Sequence, residues 1–63
     1  MRLSPREVEV LRMVAEGMTT QEIASHLSRT EVTVKWHVTN AMRKLGAASR
    51  AEAVAIAIRH GLL

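Results

Sequence analysis

The side chains able to do chemistry in this 63-residue sequence are few, and the missing types decide much. There is no Cys and no Asp, Trp36 is the one aromatic residue, and histidines stand at 26, 37 and 60. A metal site would need ligands at close helical spacing or a thiolate or carboxylate set, and no pair among His26, His37 and His60 has that spacing. Hydrolysis would need an activated nucleophile. Here the serines lack a Gly-rich elbow, the glutamates do not pair in one patch, and so short a chain leaves little volume for a pocket. No catalytic site, metal or cofactor is therefore expected. What remains is cationic and hydrogen-bonding chemistry. Thr20, Gln21, Thr33, His37, Asn40, Lys44 and Arg50 are all types that bond phosphate oxygens, and Arg43 and Lys44 are expected to face phosphates.

The second half of this set lies on one stretch, residues 31–45, whose pattern is helical. At about 100° per residue, Val34, Val38, Ala41 and Leu45 fall in one narrow stripe, which must be the buried one. Opposite lie Val32, Trp36, Thr39 and Arg43, with Lys35 on one flank and Asn40 on the other. Thr33, His37 and Lys44 line an edge between the two faces. The chain's largest side chain thus points away from the core. A helix made only for packing would turn it inward, since a buried aromatic stabilises by several kcal/mol. A DNA major groove fits this outward face. It admits one helix, and its base edges pair with Lys (at guanine O6/N7), with Thr hydroxyls and, at the thymine methyl, with apolar groups.

The elements that must position this helix are marked by caps. Ser4-Pro5-Arg6-Glu7 reads as a capping box with Pro at the first helical position, and Leu3 and Val8 form a staple across it. Val8, Leu11, Val14, Ala15 and Met18 recur at helical spacing, and Gly17 supplies a left-handed stop, giving a helix over about 5–16. Thr19-Thr20-Gln21-Glu22 repeats the box and opens a helix over 20–27 with Ile23, Ala24 and Leu27 inward. Ser28-Arg29 leaves room only for a tight turn before Thr30 caps the helix over 31–45, which Gly46 stops. Ser49-Arg50-Ala51-Glu52 is a third box, opening a helix over 50–60. No segment alternates with period two over strand length. The expected fold is all-α: a compact four-helix domain, residues 1–63, containing a helix-turn-helix. Ala24 permits close approach of its two helices and Val34 fills the angle between them.

Composition agrees with a small basic domain. Hydrophobic residues make up 48%, enough for a globule and too much for a disordered tail. Such a short chain buries only about 60% of its unfolded surface, so it gains from a partner. The net charge of +3 is unevenly placed: residues 1–28 carry three Arg and four Glu, whereas residues 29–63 carry six basic and two acidic side chains. A basic second half points to phosphates. The longest apolar run, Ala53 to Ile58, is far below a membrane span, and no charged-then-apolar leader opens the chain. A cytoplasmic protein with no membrane partner is expected. Met1, Met13, Met18 and Met42 read as core filler or, for Met1, the initiator.

Leu3-Ser4-Pro5-Arg6-Glu7, Glu22-Ile23-Ala24, Thr33-Val34-Lys35-x-His37, Asn40, Lys44-Leu45-Gly46 and Arg50-x-x-Ala53-Val54 together resemble the LuxR/GerE-type DNA-binding domain. The likeness runs over nearly the whole chain without a gap. It implies a four-helix DNA-binding domain that usually ends bacterial transcription regulators, response regulators among them. It also implies that Val32, Lys35, Trp36 and Thr39 face bases, that Thr20, Gln21, Thr33, His37 and Arg50 meet phosphates, and that helix 50–60 makes a dimer contact. There are departures. Arg29 stands where the family usually has Ile or Val, Thr19-Thr20-Gln21 replaces a common Ser-Asn-Lys, and Trp36 is bulkier than the usual occupant.

On helix 50–60, Val54, Ala57 and Ile58 are expected to close the core. Ala51, Ala55, Ile56 and Leu62 are surplus to a monomer and are candidates for a twofold interface. The expected partners are double-stranded DNA and a second copy of the chain, with RNA polymerase or an N-terminal sensor domain as further candidates. Two other readings stay open: a module that binds protein through the outward face of helix 31–45, and an anti-regulator that pairs with a related DNA-binding chain through helix 50–60.

Overall fold

All four helix starts are fixed by the same cap chemistry, reciprocal at the first two and one-sided at the last two. The computed structural model describes residues 2–63 and contains α1 (Pro5–Ala15), α2 (Thr20–Leu27), α3 (Glu31–Leu45) and α4 (Arg50–Arg59). At α1 the Ser4 hydroxyl accepts from the Glu7 N–H at 3.1 Å, while Glu7 Oε1 accepts from the Ser4 N–H at 2.7 Å. Thr19 and Glu22 repeat this at α2, at 3.1 and 2.8 Å. Each pair satisfies two amides that the helix itself cannot.

The expected third box is only half present. The Ser49 hydroxyl accepts from the Glu52 N–H at 3.1 Å, but the Glu52 carboxylate takes the N–H of Ala48, at 2.6 Å, instead of the N-cap amide. Thr30 caps α3 through the Thr33 N–H at 3.2 Å. Gly46 ends α3 in the left-handed region, at φ 68°, and Ser28 ends α2 there too, at φ 55°. Ser28 therefore turns the chain sharply between α2 and α3, in a conformation that usually falls to Gly or Asn.

The core divides into two clusters threaded by α3. Val34 and Val38, on its N-terminal half, pack with Ile23 and Ala24 of α2 and with Val10 and Met13 of α1. Ala41 and Leu45, on its C-terminal half, pack with Leu3, Leu11 of α1 and Ala53 and Ala57 of α4. α1 thus lies under both halves, and Met42 touches both clusters. Val8 packs against the cluster that holds Leu3, as a staple requires. Met13 is buried and Met18 is half-buried against the first cluster, whereas Met1 lies outside the described residues.

Two inward faces differ from the sequence expectation. On α1, Val10 is fully buried while Ala15 is exposed, because a helix lying under two neighbours buries a wider arc than a single stripe. On α4, Ile58 is not a core residue: it is 56% exposed. Ile56 and Leu62, expected to be surplus, are partly buried against the second cluster. The small side chains Ala53 and Ala57 let α4 approach closely, and that rotates the helix away from the apolar stripe its larger residues suggest.

Candidate nucleic-acid interface

The stripe of α3 opposite its core face is open. Val34, Val38, Ala41 and Leu45 are buried, and Lys35, Thr39 and Arg43 are exposed. Val32 is 76% exposed and Trp36 62%, the largest exposures among the big hydrophobic side chains. The Trp36 ring has one aromatic neighbour, His37, edge-on at a centroid distance of 5.3 Å. Val32 and Trp36 are four residues apart and so adjacent on one face, with Thr39 and Arg43 continuing the row.

The residues expected to face phosphates divide into free and engaged groups. Gln21 is exposed at the start of α2. Arg50, the first residue of α4, donates from Nη2 to Thr20 Oγ1 at 2.8 Å, which joins the starts of α2 and α4 across 30 residues of sequence. The Thr20 hydroxyl keeps its own proton for another acceptor. Thr33 is half-buried, and its Oγ1 accepts from the Thr30 hydroxyl at 3.0 Å, which leaves the Thr33 proton for another acceptor. His37 is half-buried beside Trp36.

Asn40 and Lys44 are placed differently from the helical-wheel expectation. Asn40 is buried, at 8% exposure, and its Oδ1 accepts from Arg43 Nη2 at 2.5 Å. Lys44 donates from Nζ to Glu7 Oε1 at 2.8 Å. The wheel sees one helix, whereas this flank of α3 is turned toward the start of α1. There the Glu7 carboxylate, itself buried, holds the Lys44 ammonium. Burial would raise the Glu7 carboxyl, but hydrogen bonds from Lys44 and from the Ser4 N–H, together with the Lys44 charge, outweigh it and hold the group below the usual carboxylate range. Sequence reasoning identified Glu7 as a cap and missed this second partner. No local signal links positions 7 and 44.

On α4, Ala51 and Ala55 are exposed, and so is Ile58 one turn further on. Ile56 and Leu62 are half-buried. Among the described residues no group of His, Cys, Asp and Glu is arranged to hold a metal, and no helix is long and apolar enough to cross a membrane.

Residues 1–57 match the family model for GerE, bacterial regulatory proteins of the luxR family. The chain belongs to this family. It is similar to the quorum sensing-dependent transcriptional regulator RpaR of Rhodopseudomonas palustris, 52% identical over 98% of this chain and 26% of that protein. It is also similar to the spore germination protein GerE of Bacillus subtilis, 46% identical over 97% of this chain and 82% of that protein. A solved structure of the transcription factor GerE matches with a TM-score of 0.93 at 33% identity, covering 97% of this chain and 91% of that one. The chain thus spans about a quarter of the length of RpaR and most of that of GerE. The four helices are those of a GerE-type helix-turn-helix domain, and the luxR family is one of transcription regulators, not of enzymes.

Proposed function

We propose that this luxR-family chain binds double-stranded DNA sequence-specifically in the bacterial cytoplasm and regulates transcription, with α3 in the major groove. The observation that carries the reading is the outward row Val32, Trp36, Thr39 and Arg43, flanked by Lys35, on a helix whose opposite stripe fills the core. Val32, Lys35, Trp36 and Thr39 face bases. Gln21, Thr20 and Arg50 meet phosphates near the start of α2, where free amides favour an anion, and Arg43 meets phosphate beyond the bases. Thr33 and His37 approach the backbone from the edge of α3. Asn40 and Lys44 act on phosphate only indirectly, through Arg43 and through the placement of α3 on α1.

Dimerisation through α4 fits the exposed Ala51 and Ala55, whose small side chains permit close helix approach. Ile58 replaces Ile56 and Leu62 as the larger apolar group of that surface. Two such domains would place their half-sites on one face of the duplex, roughly 10 bp apart. An upstream sensor domain and RNA polymerase complete the proposed partners.

Trp36 provides the direct test, because it is the chain's one tryptophan and there is no Tyr or Phe. Saturating duplex, taken from a random-pool selection with this chain, should shift Trp36 emission and protect it from an aqueous quencher. The affinity should fall steeply with salt. Unchanged emission and accessibility on saturating duplex would remove Trp36 from the interface. Salt-insensitive binding without DNA retention would favour a protein-binding role for the same face.

A further inference from the structure

Two of the side chains most open to the proposed groove cannot read a base by paired hydrogen bonds. Val32 carries no polar atom, and Trp36 offers one N–H donor on a large apolar ring. Both are more than three-fifths exposed, at 76% and 62%, and they stand one turn apart on the same face. In the major groove each base edge is polar except at one group, the C5-methyl of thymine, which a C5-methylated cytosine reproduces. Setting Val32 against a cytosine N4 amine, or against guanine O6 and N7, strips water from those groups and returns no partner, and the indole, with its single N–H, can repay at most one acceptor among the polar groups it covers. Setting them against a pyrimidine methyl buries apolar surface on both sides.

Geometry limits where such methyls lie. Four residues of α-helix advance about 6 Å, and base pairs stack about 3.4 Å apart, so the two side chains span roughly two base-pair steps. Lys35, on the flank of the same row, supplies the cation that guanine O6 and N7 accept.

Resting on the DNA-binding reading above, we propose that Val32 and Trp36 form a methyl-reading pair. They select pyrimidines carrying a C5-methyl at positions within about two steps of each other, so that 5-methylcytosine substitutes for thymine in the contact and cytosine methylation changes occupancy of the site. The pair senses the methyl group itself, not the Watson–Crick identity of the base.

The test uses the full chain and the tightest duplex recovered from a random pool. Each thymine is replaced in turn by deoxyuridine, which removes the methyl and nothing else. One to three positions should lose about fourfold in affinity each, the value of one buried methyl. A cytosine substituted at such a position should recover part of its loss when it is C5-methylated. Val32→Ser, which removes both methyls of the side chain, and Trp36→Ala should each erase the uridine effect at its own position and leave it at the other. Both side chains are exposed, so neither variant disturbs the core.

If every uridine duplex binds within twofold of its parent while binding stays sequence-selective and salt-dependent, methyl reading is overturned and the DNA-binding reading survives. If the pool yields no preferred duplex at all, both fall together. A uridine effect that persists unchanged in both variants assigns the methyl contact to other residues and also overturns the proposal.

Discussion

At the scale of single residues, the α3 surface separates side chains that face solvent from those already spoken for. Lys35 is exposed and has no hydrogen-bond or ion-pair partner among the described residues, whereas Lys44 is held by Glu7. The two lysines should therefore answer differently to removal. Lys35→Ala should weaken binding to the preferred duplex by about 1–3 kcal/mol and relax preference at one base pair, measured by titration against a panel of single-position variants. An equal loss on every sequence would reassign Lys35 to the backbone. The outward positions of Val32, Trp36, Thr39 and Arg43 were legible in the sequence, because a 3.6-residue period with an apolar stripe fixes its opposite face. The engagement of Asn40 and Lys44 was not legible. For Lys44 it depends on Glu7, on a helix more than thirty residues earlier, and for Asn40 on a bond from Arg43 within α3 that the apolar period does not encode.

At the scale of elements, caps were the most readable feature and α4 the least. Ser4, Thr19, Thr30 and Ser49 each accept from the amide three residues on, as their types and positions require. The inner face of α4 was legible only in part: Ala57 is buried and Val54 packs on the cluster as expected, whereas Ala53 fills the core unanticipated and Ile58 stays out. In α4 the apolar residues lie on several faces, so its pattern leaves the rotation open and the fit against α1 and α3 settles it.

The start of α1 makes a prediction at this scale. Glu7 Oε1 accepts from both the Ser4 N–H and Lys44 Nζ, which ties the cap of α1 to the last turn of α3. With its native carboxyl held below the usual range, the unfolded chain takes up this proton at higher pH than the folded one. The stability Glu7 contributes is then complete above the ordinary glutamate range and is lost as pH falls from there through the lowered native value. Urea denaturation between neutral pH and about pH 3 should show the wild type losing stability faster than Glu7→Gln on the acid side. The variant should be weaker by about 1 kcal/mol at neutral pH, where its amide oxygen keeps the cap but loses the charge. Parallel pH profiles would assign the acid sensitivity to other carboxylates.

At the scale of the whole molecule, extending 28 × 20 × 18 Å, stability rests on few side chains. Leu11 is fully buried in the cluster that joins α1, α3 and α4. Leu11→Ala should cost about 2–5 kcal/mol, a large part of what so small a domain possesses, and denaturant titration would register it as a lower midpoint. An effect below about 1 kcal/mol would mean that the cluster closes around the gap.

Because α1 underlies both halves of α3, neither cluster has a floor of its own. The interior is in effect one arch with a shared keystone, and heat should bring it down in a single collapse instead of shedding α4 or α2 first. A ligand gripping the far side of α3 would then brace both spans at once, so occupancy by duplex should register in the melting of parts of the protein that never come near it.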